Sequence, residues 1–165
     1  MDALRLHLLL NYYPAIGFIL GPIIFVGAIR FRSLSAQRFA LKLVFFFAVL
    51  TLAVFLTGEI ASHTPGNYTG ARADALTGHR LIATAALLAV AATGIAALVG
   101  LIRGRRDRVA GRSISTILLI LAAISSVLLV TAIIRGRQVK WAVAVPQLGP
   151  AVIRSIDTEK KLWHA

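Results

Sequence analysis

Apolar residues run through this chain in four long stretches, about 8–29, 42–62, 81–102 and 114–134, with polar residues gathered between them. Each stretch holds roughly 20 residues, which at 1.5 Å per residue crosses a hydrocarbon core of about 30 Å. A backbone inside lipid must satisfy its own N–H and C=O groups, so each stretch is predicted to be a helix. Connections of about ten to sixteen residues join neighbours, which favours up-and-down order. The expected fold is all-α: an integral membrane antiparallel four-helix bundle.

The stretches differ in texture. The third is rich in small residues, and Ala85/Ala89 and Ala92/Ala96/Gly100 recur at four-residue spacing. Small residues at that spacing let helix backbones approach closely in lipid, so span 3 is expected to be the central, tightly packed helix. The second carries bulky Phe45, Phe46, Phe47 and Phe55, suited to lipid or a partner protein. Pro14 and Pro22 should bend the first span. The connection over 63–78 contains Pro65-Gly66 and further turn residues, so irregular structure is expected there. Past the fourth span, Trp141 and the run Pro146-Gln147-Leu148-Gly149-Pro150 suggest a segment at the membrane interface. The predicted division is a four-span membrane domain over 1–136 and an extramembrane or interfacial tail over 137–165.

Composition agrees. Of 165 residues 58% are hydrophobic, and mean hydropathy is +0.83, above the usual share for soluble domains. The first stretch is too long for a signal-peptide core and is interrupted by Asn11 and Pro14, so it reads as a retained span. The net charge of +12 invites a nucleic-acid reading, but no soluble module is left to carry one. Nine of the eighteen basic residues fall in two connections: Arg30, Arg32, Arg38 and Lys42, then Arg103, Arg105, Arg106, Arg108 and Arg112. Threading places both on one side. The positive-inside rule makes that side cytoplasmic and puts both termini outside, in a bacterial inner (cytoplasmic) membrane. Absence of cysteine excludes disulfides, thiolate metal sites and iron–sulfur ligation by this chain.

Candidate chemistry collects at the opposite, outer side. Glu59 closes the apolar run over 43–60, and an ionisable group within a membrane span marks a candidate site. His7 opens span 1, His63 follows span 2 and His79 opens span 3. On a continuous helix His7, Asn11 and Pro14 share a face, as do Glu59 and His63. Three chemistries could use their convergence. Two histidines on different helices can ligate haem b, with His7, His79, Asn11 and Glu59 as cofactor-binding candidates. His7, Glu59, His63 and His79 form a candidate metal set. A histidine and a glutamate can relay protons or meet a quinone headgroup. Each residue also has a plainer reading. A histidine at a span end is ordinarily interfacial, as His63 and His164 would be, and Glu59 could be a hydrogen-bonded group that locks packing. No nucleophile–base arrangement, phosphate loop or HExxH motif occurs, so catalysis by this chain alone is not expected.

The segments Asn11-Tyr12-Tyr13-Pro14-Ala15-Ile16-Gly17, Thr57-Gly58-Glu59-Ile60-Ala61 and Gly78-His79 carry a likeness over about residues 5–135. The chain resembles a domain-of-unknown-function family of small four-span bacterial membrane proteins with an NHxPxxG pattern in span 1, TGExA ending span 2 and a His-Glu pair opening span 3. His7, Asn11, Glu59 and His79 match that pattern. Tyr12 stands where it has a second histidine, and Arg80 where it has the glutamate after His79. The resemblance implies a companion of redox membrane complexes. The first functional expectation is therefore a non-catalytic accessory subunit of a larger membrane complex, of redox or respiratory type, in contact with lipid and other membrane subunits. The alternatives are a b-type haem carrier between a quinone and an outside partner, and a small metal or proton transport component using Glu59.

Overall fold

The computed structural model describes residues 10–62, 71–104 and 112–144. They form four helices: α1, Tyr13–Arg30; α2, Leu34–Ser62; α3, Ala71–Arg103; and α4, Arg112–Ala144. All four are long and apolar enough to cross a membrane, and the chain is a multi-pass membrane helical bundle. Each helix packs on its neighbours in a closed ring, α1 on α2, α2 on α3, α3 on α4 and α4 back on α1. Neighbours run antiparallel. Along the α2–α3 seam, for example, Arg38 meets Gly104 and Glu59 meets Arg80.

Several boundaries differ from the pattern read off the chain. The connection between α1 and α2 is only Phe31–Ser33, because residues 34–41, expected as loop, are helical. The corner is a tight helix stop. The Ser33 N–H bonds to the Ala28 carbonyl at 2.9 Å and the Arg32 N–H to Ile29 at 3.1 Å, the two bonds of a Schellman motif. Arg32 takes the left-handed position at φ 53°, where glycine is the usual occupant. Ser33 then caps α2, its Oγ accepting from the Ala36 N–H at 3.3 Å, which satisfies one of the free N–H groups of a helix start. Gln37 Nε2 donates to the Ala28 carbonyl at 3.3 Å and ties the two helix ends together.

At the other end of α2, residues 71–78 are helical rather than irregular. Ala71, Ala73 and Ala75 are strong helix formers, and Asp74 sits in the first turn, where the helix dipole favours a negative charge. α4 continues to Ala144, past the boundary expected at residue 136. α2, α3 and α4 hold 29, 33 and 33 residues, about 44–50 Å, so they outrun the hydrocarbon core. α1, with 18 residues, is much shorter. Leu10 is helical, Asn11–Tyr12 form a turn, and α1 begins at Tyr13. Pro14 explains the break: it has no N–H to offer the carbonyl of Leu10, and its ring crowds that carbonyl. Asn11 and Pro14 therefore do not lie on one uninterrupted helix, and His7, expected on the same face, lies outside the described residues.

The interior is built from Phe18, Phe25, Leu41, Val44, Val90 and Leu118, all fully buried. Glycines set the closest approaches. Gly17 and Gly21 form a G-x-x-x-G pair on α1. The Phe47 ring lies across Gly17, and a Cβ at Gly21 would come within 2.7 Å of Val44 Cγ2. On α3 a Cβ at Gly94 would come within 2.7 Å of the Ala48 Cβ. Such contacts carry helix association in lipid, where dispersion rather than water exclusion does the work. α3 does have the most extensive packing, but the expected stripes are only partly inward: Gly100 is buried, and Ala89 and Ala96 are half-buried. Ala85 and Ala92 are exposed, whereas Ala86, Val90, Thr93, Gly94, Ala97 and Gly100 face inward. The outward faces are apolar: Ile16, Ile23, Leu56, Leu81, Leu88, Ile95, Ile120 and Val127 are all more than half exposed. They are the surface that meets lipid tails. On α2, Phe39 and Phe46 belong to that surface, while Phe45 and Phe47 pack against the core.

Candidate functional site

Two polar arrangements lie within the bundle, one at its Glu59 end and one at mid-height. The first joins α2 to α3. Glu59, in the last turn of α2, is held in an ion pair with the guanidinium of Arg80 on α3. The side chains are 33% and 49% exposed respectively. A pair this open contributes at most about 1 kcal/mol in water. Arg80 supplies the cation that Glu59 faces.

His79 precedes Arg80 and lies on the α4 side of α3. Its ring packs on Gly136, where a Cβ would come within 3.2 Å of Cε1. Its Nδ1 atom is shut off from the surroundings of the bundle. One residue back, Gly78 leaves room for Arg135, whose guanidinium would lie 3.9 Å from a Cβ there. Sequence reasoning passed over Gly136, although a glycine near the end of a helix that faces another helix is a packing signal.

Glu59 and His79 occupy the same end of the bundle, on α2 and α3. Asn11 is half-buried in the turn before α1. His7, His63 and His164 lie outside the described residues. Among the described residues, no three His, Asp or Glu side chains come together as a metal site.

The second arrangement is a buried hydroxyl cluster. Thr93 on α3 and Ser125 on α4 are both fully buried, with their hydroxyl oxygens 2.9 Å apart. Thr93 also donates to the Ala89 carbonyl of its own helix at 2.8 Å. Next along α4, Ser126 Oγ lies 2.8 Å from its own Ala122 carbonyl and 2.9 Å from the Phe18 carbonyl on α1. The second contact has a cause in the sequence. Phe18 is four residues before Pro22, which continues the helix without an N–H, so the Phe18 carbonyl loses its intrahelical donor. Ser126 shares its one proton between the two carbonyls and supplies what Pro22 removed. Serine and threonine on neighbouring helices commonly satisfy proline-freed carbonyls in membranes.

Comparison with protein-family models, with curated proteins and with solved structures finds no match to this chain, so the family likeness rests on the short motifs of spans 1 to 3.

Proposed function

We propose that this protein is a non-catalytic accessory subunit of a larger bacterial membrane complex, of redox or respiratory type. One observation carries the accessory role: its polar groups serve as ties between helices. Glu59 is engaged by Arg80, Thr93 by Ser125 and the Phe18 carbonyl by Ser126. Groups committed in this way hold a shape, and that shape presents long apolar faces to lipid and to neighbouring spans. The redox assignment follows from the family likeness alone. The positive-inside bias supports a cytoplasmic-membrane protein with both termini outside.

Extraction in mild detergent tests this reading. The expected result is co-purification with other membrane subunits in fixed proportion. Recovery of the chain alone and colourless would overturn it. Recovery alone with a haem absorption band that disappears in His79→Ala would replace it with the electron-carrier reading.

A further inference from the structure

The end of the bundle opposite Glu59 is strongly cationic. Arg30, Arg32, Arg38, Lys42 and Arg103 are all exposed there, while the described acidic residues, Glu59 and Asp74, stand at the far end. The segment 105–111, outside the described residues, carries Arg105, Arg106 and Arg108 against Asp107, so its charge has the same sign.

Three of these cations lie on the helix ends that flank one seam. Arg38 reaches from α2 to α3 and donates to the Gly104 carbonyl at 3.0 Å. That bond uses one of its five N–H groups and holds the guanidinium at the end of α3 that carries Arg103. Lys42 follows Arg38 by one helical turn on the same face of α2. One turn further, Phe46 continues that face and is 59% exposed, and Ile102, next to Arg103, is 58% exposed. The seam thus runs from cations to bare apolar side chains within a few turns. The apolar stretches over 42–62 and 81–102 begin and end at these cations, which puts the cations at the edge of the hydrocarbon, where lipid phosphates lie.

We propose that the Arg38–Lys42–Arg103 seam binds the phosphate of an anionic glycerophospholipid, with the acyl chains lying along Phe46 and Ile102. The guanidinium of Arg38, pre-oriented by Gly104, offers its remaining N–H groups to phosphate oxygens, and Lys42 and Arg103 supply charge. Exposed apolar residues directly below the cations favour a lipid over a free anion, which would have no use for them. Basic pockets between membrane helices bind such headgroups by the same chemistry.

The test is native mass spectrometry of the full chain in mild detergent with phosphatidylglycerol, phosphatidylcholine or inorganic phosphate added. The proposal expects phosphatidylglycerol to be retained at least about tenfold better than phosphatidylcholine, and Lys42→Gln with Arg103→Gln to reduce that retention about tenfold. This pair leaves the Arg38–Gly104 bond in place, and circular dichroism checks that the helices persist. Arg135→Gln with Arg137→Gln, at the far end, should leave retention unchanged. Equal retention of the two lipids overturns the proposal. So does an equal loss in the two paired variants, which would mean general charge attraction, or full displacement by millimolar phosphate, which would mean a free-anion site.

Discussion

Pro22 and Ser126 are separated by most of the chain, yet each accounts for the other. The proline leaves the Phe18 carbonyl without its intrahelical donor, and the serine hydroxyl lies 2.9 Å from it in a partly buried contact. Interhelical hydrogen bonds in membranes average about 0.6 kcal/mol and reach about 1.7. Ser126→Ala should therefore cost roughly 1 kcal/mol, because the carbonyl is left unsatisfied. In a Pro22→Ala background the restored N–H at position 22 takes the carbonyl, and the same serine change should cost close to nothing. Unfolding titrations of the four proteins in mixed micelles measure this coupling, and an equal cost in both backgrounds would rule the pairing out. The residue-scale reading of Glu59 is similar in kind. Its importance was legible from its place at the end of an apolar run, but its partner was not. Arg80 is 21 positions away, and only the packing of α2 on α3 selects it from the several cations at that end.

At the scale of elements, α1 and α2 show how much a missing side chain decides. Gly17 lets the Phe47 ring cross the α1 backbone. Gly17→Ala puts a methyl group where that ring lies, and the clash reaches Cγ, so a small rotation of the ring does not relieve it. The expected cost is about 1–3 kcal/mol. Phe47→Ala should recover part of it, because the ring is the obstacle; thermal unfolding followed by circular dichroism reads both changes. The short corner between the two helices offers a second check. Arg32 holds a left-handed backbone at φ 53°, so Arg32→Gly should be neutral or stabilising by up to about 1 kcal/mol, and Arg32→Val should destabilise. The first device is visible in the chain as Gly17-x-x-x-Gly21. The corner was hidden because residues 34–41 mix polar and apolar positions without a long apolar run.

For the whole molecule, the antiparallel ring requires Arg32 and Arg103 to emerge on one side of the membrane and Arg80 and Arg137 on the other. Single cysteine substitutions at these four positions, labelled in intact cells with a membrane-impermeant maleimide, should divide into those two pairs. Any other division would break the architecture. The number of spans, their approximate places, the concentration of basic residues in two connections and the gathering of Glu59 and His79 at one end all follow from the chain alone. They depend on length, hydropathy and order, which are properties of segments. Which face of each helix turns inward is another matter. Lipid tails are as apolar as a protein interior, so no helical period separates the buried Ala86 and Thr93 from the exposed Ala85 and Ala92. The contacts between helices decide it, through the fit of glycines against rings and of hydroxyls against orphaned carbonyls, and those fits exist only once the four helices have met.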